Sequence, residues 1–115
     1  MLRGEIRLVN FDPSFPGEVD KTRPAVLVSN DAANQMAARL GRGVLTVVPL
    51  TTNLTHVYPF QVEISSDESG LPIDSKAQAE QVRSVAVDRI GSRIGSVPVD
   101  LMREVDTALR LHLSL

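Results

Sequence analysis

The chain contains no cysteine and no tryptophan, and only four of its 115 residues (three Phe and one Tyr) are aromatic. Without cysteine there is no disulfide framework, no thiolate nucleophile and no thiolate metal ligand. The two histidines, His56 and His112, are far apart in sequence and show no metal-ligand spacing. We therefore expect no metal centre and no cofactor.

Long apolar runs are also missing. No stretch approaches the roughly 20 residues that span a bilayer, and the N-terminus enters a charged, strand-like segment instead of a signal peptide. Walker, dinucleotide-binding and nucleophile-elbow motifs are absent as well. Length and composition predict one cytoplasmic globular domain over residues 1–115, with no membrane segment.

The net charge of −2 gives no overall attraction to nucleic acid, but the charges are unevenly distributed. No acidic residue lies between Asp31 and Glu63, and ten of the twelve basic residues are arginine, whose planar fork of donors suits phosphate. This pattern permits a local anion-binding surface. Ordinary solvated charge explains it equally well.

Alternating or continuous apolar residues predict strands over residues 5–11, 25–28, 44–50 and 58–64. In the first of these strands Glu5 and Arg7 are expected on the face opposite to Ile6 and Leu8, and in the last Gln61 and Glu63 are expected to face outward. The uninterrupted apolar run at 25–28 suits a strand that is buried on both faces. The segment 12–22, with two prolines and a glycine, is predicted to be a surface loop.

Two helices are predicted by their caps and periodicity. Cap-type residues at 29–31 predict a short helix through about Leu40 that ends at Gly41. Apolar residues at helical spacing from Val99 onward predict a C-terminal amphipathic helix. Residues 75–90 are ambiguous, because their composition favours a helix while their valines also suit a strand, and propensity alone favours the helix. The elements together indicate a mainly β, α+β domain, plausibly a small barrel.

Polar residues at the predicted strand ends are the candidate functional groups. Arg23 stands where the proline-containing loop enters a buried strand, and it is either a loop-capping residue or a fixed cation for a phosphate. Thr51, Thr52 and Asn53 follow another buried strand, so they form either a simple polar turn or a rigid polar platform. Glu80 and Gln81 would lie on opposite faces if their segment were a strand.

Five segments, taken in order, resemble the MazF/PemK family of toxins. They are GEIRLVNFDPSFPGEVDKTRPAVLVSND, VVPLTTN, YPFQVEI, AEQVRSV and the closing DLMREVDTALRLHLSL. The resemblance covers nearly the full chain and implies an SH3-like barrel of the CcdB/PemK type with a C-terminal helix, acting as a homodimer. It also implies a strand around residues 79–85, against the propensity reading.

For function, the resemblance implies the toxin of a type II toxin–antitoxin system. Such a toxin is a sequence-specific, metal-independent endoribonuclease that cuts single-stranded RNA. The ribose 2′-hydroxyl attacks the adjacent phosphorus, leaving a 2′,3′-cyclic phosphate and a 5′-hydroxyl. The implied protein partner is a cognate antitoxin with a disordered C-terminal segment. The alternative is a non-catalytic, CcdB-like toxin that inhibits a protein target such as DNA gyrase.

The resemblance also implies residue roles. Its catalytic positions fall on Arg23, Thr51 and Glu80, and no residue is expected to bind metal. The expected substrate-binding residues are Phe15, Lys21, Thr52, Asn53 and Gln81. Many family members carry tryptophan where this chain has Arg7, so an aromatic contact at that position is not expected here.

Overall fold

The structure is a computed structural model, and it describes residues 1–11 and 22–115. The described strands are β1 (Glu5–Asn10), β2 (Thr22–Leu27), β3 (Val44–Thr51), β4 (Gln61–Ile64), β5 (Ser75–Gln78), β6 (Arg83–Ala86) and β7 (Ile90–Ser96). The helices are α1 (Asp31–Leu40), α2 (Ser66–Ser69) and α3 (Val99–Leu113), with 3-10 turns at Ala79–Gln81 and Val87–Arg89. No helix of these described ranges is long and apolar enough to cross a membrane.

All pairings among the described strands are antiparallel, in the order β4-β5-β3-β2-β1-β7. Strand β6 pairs with β3 on the same edge as β5, so these two short strands share the long edge of β3. The sheet curls until Gly95 in β7 lies against Ser69 in α2, where a Cβ on Gly95 would come within 2.4 Å of the Ser69 carbonyl oxygen. The mainly β prediction is confirmed.

Both faces of the central strands are buried. One face, with Ile6, Val26 and Val48 among its members, packs against Met102 and Val105 of α3. The opposite face carries a second cluster, which consists of Val9, Ala25, Leu27, Val47 and Val85. Burial on two sides explains why β2 and β3 consist of continuous apolar runs.

The helix predicted for residues 75–90 is wrong. The segment forms β5 and β6, separated by the turn Ala79–Gln81 and followed by the turn Val87–Arg89. Pairing with β3 supplies hydrogen bonds and buried contacts that outweigh the helix propensity of these residues. The strand implied around 79–85 is correct only from Arg83 onward, because Glu80 and Gln81 lie in the turn.

The prediction that Gln61 faces outward is also wrong, and Glu5 is buried as well. Gln61 is only 8% exposed and Glu5 only 9% exposed. Each polar group is buried with a partner, since Glu5 accepts a hydrogen bond from Arg7 and Gln61 bonds to Glu80. Buried polar groups are tolerated when they are hydrogen-bonded in this way, and alternation alone does not reveal the partner.

The predicted helix caps are confirmed. The Asn30 side chain accepts a hydrogen bond from the Ala33 N–H at 2.8 Å, and Gly41 ends α1 with a φ of 67°. In α3 the buried residues Met102, Val105 and Ala108 fall on one stripe, as the periodicity predicts.

Glu5 is expected to make the free energy of unfolding depend on pH. Burial favours the neutral carboxyl, but the hydrogen bond and charge of Arg7, 2.9 Å away, outweigh it and hold the pKa of Glu5 below its ordinary 4.5. A pKa that is lower in the folded state means that the ionised carboxylate stabilises the fold above pH 4.5 and loses this effect as pH falls through the folded-state value. Glu5→Gln should lower the free energy of unfolding by about 1–3 kcal/mol at pH 7, and by less in acid.

Urea unfolding between pH 3 and pH 7 measures this difference, with the exposed Glu63→Gln as the matched control. A Glu5→Gln protein as stable as the parent chain at every pH would contradict the expectation.

Candidate active site

Arg23 and Thr51 lie on neighbouring strands at the same level of the sheet. The β2–β3 ladder pairs Ala25 with Pro49, and continuing that register by two residues places Arg23 opposite Thr51. Directly opposite residues in an antiparallel ladder project from the same face. The exposed Arg23 and the half-buried Thr51 each lie two residues past the last pair of this ladder, so both belong to the same end of it.

The ladder between β2 and β3 stops just before this pair. Pro24 and Pro49 stand at its end, and proline has no N–H to donate to a neighbouring strand. The Arg23 side chain makes no hydrogen bond or ion pair with the residues that the structure describes. Its guanidinium donors are thus available to an anion, past the end of the β2–β3 ladder.

Lys76 lies on the other side of Thr51. The β3–β5 ladder pairs Thr51 directly with Lys76, so the two side chains share a face. Lys76 is only 7% exposed, and its Nζ donates to the carbonyl oxygen of His56. No carboxylate in the described ranges forms an ion pair with it. Thr51 is therefore paired with a lysine of β5, on the edge of β3 opposite to β2.

The residues after Thr51 form a compact turn. The Thr51 hydroxyl oxygen accepts from the Asn53 N–H at 3.3 Å, and the Asn53 side chain accepts from the Thr55 N–H at 3.1 Å. Thr52 and Asn53 are exposed. Because the Thr51 oxygen is used here as an acceptor, its hydroxyl proton stays available to donate to a substrate oxygen.

Glu80 faces into the protein and Gln81 faces solvent. The Glu80 Oε2 accepts from the Gln61 Nε2 at 2.7 Å, while its Oε1 is buried with no hydrogen-bond partner among the described residues. Gln61 in turn accepts from the Tyr58 N–H at 3.2 Å. This chain of bonds ties the turn that carries Gln81 to the segment that precedes β4.

A second arginine borders the same face of the sheet. The guanidinium carbon of Arg83 lies 5.0 Å from the centroid of the Phe11 ring, within the range of a cation–π contact. Arg83 is paired in register with Val47, four residues before Thr51 on β3. Its exposed guanidinium adds positive charge to the surface around Arg23.

Two predicted substrate-binding residues, Phe15 and Lys21, lie outside the described residues. Sequence reasoning missed Lys76 and Gln61 as members of this cluster. The residues around Lys76 do not indicate a functional role for it. The alternation in its strand predicted that Gln61 faces solvent. Only strand register, which is a non-local property, identifies them. Within the described ranges, no three His, Asp or Glu side chains lie close enough together to hold a metal ion.

Comparison with known proteins gives the family. A model of the PemK-like, MazF-like toxins of type II toxin–antitoxin systems matches residues 2–113. Endoribonuclease MazF9 of Mycobacterium tuberculosis (strain ATCC 25618 / H37Rv) is 54% identical over 115 residues, which is 100% of this chain and 98% of the relative. The probable endoribonuclease MazF1 of the same organism is 54% identical over 57 residues, covering 50% of this chain and 61% of that protein.

Solved structures share the fold. A mycobacterial endoribonuclease in complex with its cognate antitoxin superposes with a TM-score of 0.78 at 24% identity, covering 100% of this chain and 96% of that one. MazF from Deinococcus radiodurans (Form-I) gives a TM-score of 0.75 at 23% identity, covering 100% of this chain and 97% of that one. With a family model over nearly the whole sequence and a full-length relative at 54% identity, the chain belongs to the PemK/MazF family of toxins of type II toxin–antitoxin systems.

Proposed function

We propose that this chain cleaves single-stranded RNA at specific sequences by attack of a ribose 2′-hydroxyl on the adjacent phosphorus, without a metal ion. The chain is an endoribonuclease, the enzyme class of its full-length relative MazF9. The observation that supports the proposed chemistry is that Arg23 and Thr51 both lie two residues past the same end of the β2–β3 ladder. This enzyme class argues against the alternative of a non-catalytic toxin that inhibits DNA gyrase.

In the proposed reaction the 2′-oxygen forms a bond to phosphorus, the bond from phosphorus to the 5′-oxygen breaks, and a 2′,3′-cyclic phosphate and a 5′-hydroxyl result. The 2′-hydroxyl loses its proton and the leaving 5′-oxygen gains one. Negative charge develops on the phosphate oxygens of the pentavalent phosphorane. Arg23 stabilises that charge, because fixed donors act most strongly where charge appears in the transition state.

Thr51 donates its hydroxyl proton to a phosphate oxygen or orients the 2′-hydroxyl. Lys76 is its register partner and Arg23 lies past the same end of the β2–β3 ladder, which supports attraction of a phosphate to Thr51 by both cations. A hydroxyl on a rigid strand end is held in a fixed position, which favours orientation of the reacting atoms.

Glu80 and Gln81 have separate proposed roles. The Glu80 carboxylate is bonded to Gln61, so we propose that it contributes mainly by holding the Ala79–Gln81 turn in place. Direct action of Glu80 as the base stays a prediction. The exposed Gln81 amide, together with Thr52 and Asn53, offers donors and acceptors for base edges of an unpaired strand.

The proposed partners are RNA, a second copy of the chain and an antitoxin with a disordered C-terminal segment. The fold neighbour determined with its cognate antitoxin supports the antitoxin proposal. A disordered acidic segment that orders on binding suits a surface with exposed Arg23 and Arg83. The homodimer rests on the family alone.

The reaction chemistry can be tested on one RNA oligonucleotide that the protein cuts at a single site. We expect cleavage in excess EDTA, a cyclic phosphate on the 5′ fragment by mass spectrometry, and no cleavage when the nucleotide that supplies the 2′-hydroxyl is replaced by its 2′-deoxy form. A 2′-deoxy nucleotide placed elsewhere in the same oligonucleotide is the control. Cleavage of the deoxy substrate, or activity lost on chelation and restored by a divalent metal, would contradict the proposal.

A further inference from the structure

Three rings lie together on the connection between β3 and β4. The Tyr58 and Phe60 rings are parallel within 1°, with centroids 5.4 Å apart, and the His56 ring lies 6.0 Å from Tyr58 at an angle of 38°. Three of the few ring-bearing side chains of this chain thus occur within five residues. Although Tyr58 packs against Phe60, it remains 49% exposed, and His56 is exposed as well.

The ring cluster is adjacent to Thr51. The Lys76 Nζ lies 5.9 Å from the centroid of the Tyr58 ring, and Lys76 is the register partner of Thr51. One lysine side chain therefore separates the ring cluster from the proposed catalytic threonine.

The connection is held in place from two sides. Lys76 donates to the carbonyl oxygen of His56, and the Tyr58 N–H donates to Gln61, which is itself bonded to Glu80. The exposed rings therefore sit on a segment whose backbone is anchored to β5 and to the Ala79–Gln81 turn. A surface that is ordered before binding loses less entropy when a ligand docks on it.

We propose that the ring cluster His56–Tyr58–Phe60 is a platform on which one unpaired nucleobase of the substrate stacks, next to the phosphate that is cleaved. Every base has a π-face, and Tyr, Phe and His are the side chains that stack on splayed bases in single-stranded RNA. The absence of acidic residues between Asp31 and Glu63 leaves no carboxylate from this stretch to repel the phosphates on either side of that base. The proposal rests on the proposed RNA-cleaving function and adds a base-binding subsite to it.

The composition of the chain provides a direct probe. Tyr58 is the sole tyrosine and there is no tryptophan, so the intrinsic fluorescence of the protein reports Tyr58 alone. Titration with the cleavable oligonucleotide carrying a 2′-deoxy nucleotide at the scissile position should quench this fluorescence, with binding followed independently by the anisotropy of a dye on the oligonucleotide. Replacing bases one at a time by abasic sites should relieve the quenching at one position beside the scissile phosphate. Full binding with unchanged tyrosine fluorescence would overturn the proposal.

Substitution tests the same subsite by kinetics. Tyr58→Leu should raise KM by about 5-fold or more with a smaller change in kcat, since one stacked base contributes at least that much to binding. Tyr58→Trp should preserve KM. Val57→Ala is the matched control, because Val57 is the neighbouring residue and is 43% exposed. Equal KM values for Tyr58→Leu and Val57→Ala would overturn the proposal.

The outcomes separate the platform from the underlying function. If the parent chain cuts RNA by the proposed chemistry while Tyr58 is neither quenched nor needed for a low KM, only the platform fails. If the 2′-deoxy substrate is cut, the proposed chemistry fails whatever Tyr58 does. Should Tyr58→Leu not fold, as judged by circular dichroism, the fluorescence titration of the parent chain decides alone.

Discussion

Arg23→Ala is expected to lower kcat for RNA cleavage by at least about 100-fold, because removing one fixed donor to a developing oxyanion typically has an effect of that size. The thermal midpoint should stay nearly unchanged, since Arg23 is exposed and its side chain has no partner among the described residues. Single-turnover cleavage of a labelled oligonucleotide measures the rate, and differential scanning calorimetry measures the stability.

Two comparison variants sharpen the Arg23 prediction. Arg39→Ala removes an exposed arginine of α1, far along the chain from the strand ends, and should leave the rate unchanged. Arg23→Lys keeps the charge but loses the planar fork, so partial activity is expected. If Arg23→Ala cleaves as fast as Arg39→Ala, Arg23 has no catalytic role.

Thr51→Val is expected to lower kcat by about 100-fold as well, since it deletes the hydroxyl that donates to the phosphate while keeping a β-branched side chain at the strand end. KM should change less than kcat if the hydrogen bond forms mainly in the transition state. The measurement is kcat and KM on the same oligonucleotide, with folding checked by circular dichroism.

Thr46→Val provides the matched control for Thr51. Thr46 lies on the same strand, paired with Ser84 on β6 and away from the Arg23 end, so its loss should leave kcat unchanged. A Thr51→Val protein with the kcat of Thr46→Val would remove Thr51 from the mechanism. Loss of activity in both variants together with loss of secondary structure would indicate a folding effect, and Thr51→Ser would then separate the hydroxyl from the fold.

Local patterns predict those parts of the fold that depend on neighbouring residues. The sequence predicts the caps of α1, the buried stripe of α3 and the apolar runs in β2 and β3. Each of these features is decided by residues within one or two helical turns or within one strand. The structure of residues 75–90 cannot be predicted in this way, since their propensity favours a helix. They form two strands because they pair with the edge of β3. Gln61 breaks the alternation because it donates in the interior to Glu80, a residue of a distant segment, whereas the buried Glu5 is satisfied by Arg7 of its own strand.

The candidate site divides in the same way. The sequence by itself determined which reactive groups are present. It has Arg23 before one buried strand and Thr51 after another, and it has neither a cysteine nor a pair of histidines to support a different mechanism. Only the tertiary structure decided which groups meet. Strand register pairs Thr51 with Lys76 and brings Arg23 to the same end of the β2–β3 ladder, while hydrogen bonds and ring contacts outside the ladders hold Glu80 against Gln61 and Tyr58 beside Lys76. Register depends on pairing between distant segments, and a shift of one residue along β3 would turn Thr51 to the opposite face.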